Sequence, residues 1–288
     1  MDPDGASPPR RRLRVDLSGV PETTLLTLYY RAREAASAFS VLDDPKAVEL
    51  LAAIDFDFVG RFGQARPVFG RYIGLRAAAI DAQVRQFMAA FPGATVVALG
   101  EGLETQFWRV DDGRVRWFTV ELPETAAVRA ALLPADPPRR RMFAGSALEP
   151  EWLEALGADP ANHVMVVAQG LLMYLPPEQV RALITRCAAA FPGGAMIFDT
   201  MPLRLTAFTT SGRGRRPGGY QPPPMPWGVT PGQLVEELRL EPAVGRVRLV
   251  DPPVAGDPAT RSVLTIRRLL PGLRRHGPSV VRIDFRRR

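Results

Sequence analysis

The sequence predicts an α/β fold: a parallel sheet with helices between its strands, an antiparallel C-terminal edge, and an N-terminal helical cap. Three observations carry this. First, short apolar runs at 96–99, 115–120, 141–144, 163–168 and 195–199 alternate with longer stretches of helical character. Runs this short and continuous suit strands buried on both faces, and strand–helix alternation makes them parallel. Second, the first run ends in Gly100-Glu101-Gly102, a turn at a strand's carboxyl end, where open parallel sheets bind ligands. Third, Val281, Ile283 and Phe285 alternate with Arg282 and Asp284, the period of a half-exposed strand.

Taken in order, residues 1–17 are Pro- and Arg-rich and read as a disordered basic tail. Residues 18–92 read as the cap. Leu25, Leu28, Tyr29 and Ala32 share one face of a helix over 22–37. Asp43-Asp44-Pro45 starts a second helix, with Ala47, Val48, Leu51 and Ile54 apolar. A third spans 72–91, with Ala77, Ile80, Val84, Phe87, Met88 and Phe91 at helical spacing, and Pro92-Gly93 ends it. Residues 93–288 form the sheet region. Its helix at 178–191 buries Val180, Leu183, Ile184, Cys187 and Phe191 and stops at Pro192-Gly193-Gly194. Residues 209–226 cannot pack a core and read as a flexible loop or lid. Thr230-Pro231-Gly232-Gln233 starts a helix to 240 with a capping box. Residues 246–250 and 262–269 are the expected strand companions of 279–285. No internal repeat is visible, and one domain with a cap is the expectation.

Composition bounds function. A chain of 288 residues with 46% hydrophobic and 23% charged residues is ordinary for a globular protein. No apolar run reaches the ~18–20 residues of a membrane helix, and no secretory apolar segment follows the N-terminal arginines. A single cysteine, Cys187, excludes an intramolecular disulfide, so a cytoplasmic location is expected. The net charge of +7 raises nucleic acid as a partner. The arginine clusters at 10–12, 139–141, 213–216 and 286–288 lie in Pro/Gly-rich loops or at termini, however, without interleaved aromatics. Neither nucleic acid nor a membrane is expected as a partner.

Gly-x-Gly alone more often marks an ordinary strand-to-helix turn. Glu121 shifts the balance. It ends the second strand 21 residues past Gly100, where a carboxylate grips a ribose diol in nucleotide-type folds. The third glycine of the dinucleotide fingerprint is absent, because position 105 is Thr. That argues against NAD or FAD and for S-adenosyl-L-methionine, which has no pyrophosphate.

The order of motifs resembles the class I S-adenosylmethionine-dependent methyltransferases, whose sheet is Rossmann-like. Within them it resembles the leucine carboxyl methyltransferase and tetracenomycin carboxyl O-methyltransferase-like family, over residues 19–288. Gly19-Val20-Pro21-Glu22-Thr23-Thr24-Leu25-Leu26 and Asp44-Pro45-Lys46-Ala47 are similar to the family's N-terminal helices. Leu99-Gly100-Glu101-Gly102-Leu103-Glu104-Thr105-Gln106-Phe107-Trp108-Arg109 resembles its glycine motif, LGxGLDTRFYR. Val120-Glu121-Leu122-Pro123-Glu124, the stretch from Gly145 through Leu153, and the stretch from Val167 through Leu175 resemble three further motifs in the family's order. The resemblance implies that Leu99, Gly100, Glu101 and Gly102 border the cofactor, with the two glycines at its amino-acid end. It implies that Glu121 and Leu122 meet the ribose, Ser146 and Ala147 the adenine, Gln169 and Gly170 the methionyl part, and Arg76 its carboxylate. The chain also departs from the family. Gln169 replaces Glu, Gln106 replaces Arg, Glu101 stands at a small position, and Glu104 and Glu121 replace Asp. Glu101 would compensate for Gln169 if it pointed at the same ammonium.

The implied chemistry is O-methylation of a small-molecule carboxylate or phenol, of natural-product and polyketide type. Methyl transfer needs alignment and exclusion of water, and a carboxylate is ionised without a base. That suits a chain with two histidines, His163 reading as structural and His276 as exposed. No metal-ligand cluster or G-x-S-x-G elbow is present. No residue is singled out as directly catalytic. Tyr29, Arg31 and Tyr174 are expected to position the acceptor, and Tyr72, Met173, Phe208 and Trp227 to line its site. Two rival readings remain: a divergent member that keeps the cofactor pocket for another step such as a cyclisation or for binding alone, and an RNA methyltransferase. Homodimerisation is left open.

Overall fold

The computed structural model describes residues 12–157, 163–211, 220–270 and 278–287. The chain starts with β1 (Leu13–Arg14), α1 (Thr23–Ala35), α2 (Pro45–Ala53), β2 (Ile54–Asp55), α3 (Phe58–Phe62) and α4 (Pro67–Ala90). Asp44 caps α2 by accepting the amide of Ala47 at 3.0 Å, with Pro45 in the first turn. These elements share a core of Val15, Leu17, Leu25, Leu28, Tyr29, Leu50, Phe58 and Ile73. Two expectations change here. Residues 13–17 are ordered, because β1 pairs in parallel with β2 and Val15 and Leu17 are buried; residues 1–11 lie outside the described residues. The third helix starts earlier than expected, at Pro67, and the short α3 precedes it.

Then come β3 (Thr95–Leu99), α5 (Gln106–Val110), β4 (Arg116–Glu121), α6 (Pro123–Leu132), β5 (Arg140–Ala144), α7 (Glu151–Leu156), β6 (Val164–Ala168), a 3-10 turn at Leu172–Tyr174, α8 (Pro177–Ala190) and β7 (Ala195–Thr200). After them stand α9 (Leu203–Thr210), α10 (Pro231–Arg239), β8 (Val244–Val250), α11 (Pro258–Leu269) and β9 (Ser279–Phe285). The main sheet runs β5-β4-β3-β6-β7-β9-β8. β3 to β7 are parallel, and β9 is antiparallel to both β7 and β8. Strand order reverses between β3 and β6, the place where such sheets open a crevice at their carboxyl ends.

Every residue of β3, β6 and β7 is buried, as continuous apolar runs require. Alternate side chains enter opposite layers. Val97, Leu99, Val166, Ala168 and Phe198 pack with α7, α8 and α10. Val96, Ala98, Met165, Val167 and Ile197 pack with Ile80, Val84 and Phe87 of α4 and Phe107 of α5.

The expected strand at 262–269 is instead part of α11. Asp257 caps that helix through the amide of Thr260 at 2.9 Å, Pro258 occupies its first turn, and Leu264 is its buried residue. β7 and β8 take both sides of β9, so 262–269 cannot pair with 279–285 as expected. His163 stacks on Phe91 with ring centroids 3.7 Å apart, and Cys187 is buried in the α8 core. The expected lid falls partly on 212–219, and His276 wholly, outside the described residues.

Candidate cofactor and acceptor site

A cavity of about 370 Å³ opens over the tips of β3, β4 and β6, roofed by α1, α4 and the segment after residue 219. That is within the size range of small-molecule sites. Its floor is the β3–α5 turn. Gly100 and Gly102 take φ of +59° and +56°, a region that favours glycine. A Cβ on Gly100 would stand 2.9 Å from Leu171 Cδ1, and one on Gly102 would collide with Thr24 Oγ1. The turn is tied to its neighbour, as the Gly100 amide donates to Val120 O at 2.8 Å.

Glu121 ends β4 inside this crevice. Its Oε2 accepts the Gly102 amide at 2.5 Å and its Oε1 accepts the Leu122 amide at 2.9 Å. Burial raises its pKa above the ordinary carboxylate value, more than those two bonds and the charge of Arg129 lower it. Ser146 and Ala147 line the cavity beyond β5, and Gln169 and Gly170 line it beyond β6.

Arg76 enters from α4. Its Nη1 donates to Asp199 Oδ2 at 2.8 Å, and Asp199 Oδ1 accepts the Gly170 amide at 2.6 Å. Burial alone would lower the Arg76 pKa, but the Asp199 carboxylate outweighs it and keeps the guanidinium charged. Arg76 Nε, Glu101 Oε1, Gln169 Oε1, Tyr72 Oη and Tyr220 Oη, all on residues that line the cavity, are buried without hydrogen-bond partners within the protein. Buried polar atoms normally have partners, so these five mark where a bound molecule would supply them.

The cavity thus brings together Arg76, Leu99, Gly100, Glu101, Gly102, Glu121, Leu122, Ser146, Ala147, Gln169 and Gly170, with Arg31, Tyr72, Met173 and Tyr174 among the expected acceptor residues. Four expectations are corrected. Tyr29 is buried in the cap core, stacked on Phe58 with its hydroxyl donating to Gly63 O at 3.3 Å. Trp227 packs on Phe198 in the sheet core. Phe208 is half exposed on α9 and does not line the cavity. Arg31 lines the wall but its fork is occupied, donating to Asp44 at 2.9 Å, Glu104 at 3.1 Å and Leu103 O at 2.6 Å. It is therefore not free to grip a substrate carboxylate. Glu101 is not a free charge beside Gln169 either, although it lines the cavity and its Oε1 has no partner within the protein. Its Oε2 accepts Thr119 Oγ1 at 2.6 Å and Arg129 Nη2 at 2.9 Å.

Asp199, Glu104, Thr24, Leu171 and Tyr220 belong to the site and were not singled out as site residues. Asp199 carried a readable signal, an acid in the closing residues of a buried parallel strand. The others face the cavity through long-range packing that local sequence does not encode.

The sequence pattern of the leucine carboxyl methyltransferase family matches residues 24–188, more than half of the chain. The chain belongs to that family. Methyl transfer from S-adenosyl-L-methionine is the activity that goes with this membership. The tetracenomycin polyketide synthesis O-methyltransferase TcmP of Streptomyces glaucescens is 34% identical over 189 residues, 65% of this chain and 68% of that protein. The S-adenosyl-L-methionine-dependent methyltransferase dpfgK of Gibberella zeae is 26% identical over 190 residues, 62% of this chain and 63% of that protein. The chain therefore spans less than two thirds of dpfgK. Among solved structures, a DUF574-family protein from Streptomyces avermitilis superposes with a TM-score of 0.55 at 13% identity, covering 91% of this chain and 96% of that one. A methyltransferase-like protein from Thermobifida fusca gives 0.54 at 17% identity, covering 91% and 94%. These two speak for the fold.

Proposed function

We propose that the chain is an O-methyltransferase whose acceptor is a small-molecule carboxylate of the polyketide type. The crevice supports the cofactor assignment. Glu121 would accept the ribose hydroxyls, and Leu122 would lie beside them. Ser146 and Ala147 would flank the adenine. The bare backbone at Gly100 and Gly102 would admit the amino-acid end, with Arg76 meeting its carboxylate and Gln169 and Gly170 beside its methionyl part. The orphaned Arg76 Nε and Gln169 Oε1 fit such a group. When bound, it supplies an electrophilic methyl group. The protein's own residues orient the acceptor and exclude water.

The acceptor would occupy the part of the cavity lined by Leu26, Phe69, Tyr72, Met173, Tyr174 and Met225. The observation that carries the carboxylate reading is a lining that, among the described residues, offers the phenols of Tyr72 and Tyr174 and no histidine. His163 is stacked on Phe91, away from it. Burial raises the phenols of Tyr72 and Tyr174, which makes them donors at neutral pH. A carboxylate needs no base, and two phenol donors would orient it without cancelling its charge as a guanidinium would. TcmP, whose name places it in tetracenomycin polyketide synthesis, supports a polyketide-type acceptor.

The test is transfer of labelled methyl from the cofactor to a panel of aromatic carboxylic acids and matched phenols. The expected product is a methyl ester, which releases labelled methanol in mild base. A product stable to base, an aryl ether, would overturn the carboxylate assignment.

A further inference from the structure

The departures Glu104 and Gln169 meet in space. Gln169 Nε2 donates to Glu104 Oε2 at 2.8 Å. A carboxylate only accepts, so the amide nitrogen must face Glu104, and Gln169 Oε1 is left without a partner at the cavity wall. Behind Glu104 lies a buried group of charges joining cap and sheet. Arg109 Nη1 donates to Glu104 Oε1 at 2.6 Å and to Asp44 Oδ2 at 2.7 Å, and Arg109 Nε to Asp81 Oδ2 at 2.7 Å. Arg31 bridges Asp44 and Glu104. Two guanidinium groups thus face three carboxylates, all five side chains at most 9% exposed. The nearby cations do not change this balance, because Arg129 is matched by Glu101 and Arg76 by Asp199. The five side chains carry a net charge of −1, although each carboxylate is held by at least one guanidinium.

We propose that this surplus charge, held at Glu104 and passed to the cavity wall through the Gln169 amide, is the counter-charge for the ammonium of the bound cofactor. Glu104 is a positioning residue that acts through Gln169. The lost acid of position 169 has moved one layer back, and the extra methylene of Glu over Asp at 104 lets it reach the amide. The proposal rests on the cofactor reading and adds to it which atoms receive the amine.

The experiment is isothermal titration of the full chain with S-adenosylhomocysteine, which carries the amine, and with 5′-methylthioadenosine, which lacks the whole amino-acid end. Glu104→Gln and Gln169→Leu should each weaken S-adenosylhomocysteine about tenfold or more, as loss of a charged hydrogen bond does. Both should leave methylthioadenosine within about threefold. Glu101→Gln tests the rival acceptor, because Glu101 also lines the cavity and its Oε1 has no partner within the protein. Gln169→Glu alone should not tighten S-adenosylhomocysteine, because it sets two carboxylates against each other, whereas Gln169→Glu with Glu104→Gln should bind it as the parent does. Thermal melts show which variants fold, and if Glu104→Gln does not, Gln169→Leu, which leaves the ion group intact, carries the test. Unchanged S-adenosylhomocysteine affinity in the folded variants, equal losses for both ligands, or a loss confined to Glu101→Gln would each overturn the proposal. A parent chain that binds neither nucleoside would instead overturn the cofactor reading.

Discussion

Glu121 accepts two backbone amides, and burial still holds its pKa above 4.5. A ribose diol needs the ionised form as its acceptor. Affinity for S-adenosylhomocysteine should therefore fall on acidification starting above the ordinary carboxylate range, and Glu121→Gln should flatten that profile. Titrations between neutral pH and pH 5 check this; a parent profile that stays flat would contradict it. Cys187 makes a contrasting case. It is fully buried against apolar neighbours, which pushes its thiol up to about 12. It should resist a thiol reagent at pH 8 while the chain is folded and react at once in denaturant.

At the scale of elements, the link from α8 to β7 is closely fitted. A Cβ on Gly194 would stand 2.5 Å from Val164 O and 3.0 Å from Phe191 O, both backbone atoms that cannot yield. Gly194→Ala should destabilise the fold by about 1–3 kcal/mol, the usual scale of overpacking, read by denaturant midpoint. The strands that build the crevice were legible because burial on both faces writes itself as short apolar runs. The crevice was legible because it is made of backbone at Gly100 and an acid at a strand end. α11 differs from the expected strand although Val263, Ile266 and Leu269 stand at helical spacing, and the fold leaves that stripe exposed and buries Leu264 instead. The cap and proline signals at Asp257-Pro258 were the better guide. Tyr29 and Trp227 were misplaced for a related reason: an aromatic side chain reads alike whether it fills a core or lines a cavity.

Across the whole molecule, cap and sheet are joined by buried ions. Asp44 begins α2, Asp81 lies on α4, and Glu104 and Arg109 follow the glycine turn. Their pairing was invisible in sequence because partners stand up to 73 positions apart. Burial pushes Glu104 upward, but Arg109 and Arg31 outweigh it and hold its pKa at about 2. A folded value below the ordinary 4.5 means that this contribution is complete above pH 4.5 and is lost as pH falls toward 2. Stability should decline across that window, and Glu104→Gln should lower stability at pH 7 while making the acid limb shallower. Acid denaturation followed by circular dichroism checks it. An unchanged limb would show that the pair contributes little.

The central claim is that the crevice between β3 and β4 holds the adenosyl cofactor with Glu121 on its ribose. Calorimetric titration of S-adenosylhomocysteine into the parent chain and into Glu121→Ala tests it most directly. The account predicts saturable one-to-one binding to the parent and a loss of about tenfold or more in the variant. Equal affinities in the two proteins, or no binding to the parent at millimolar ligand, would contradict it.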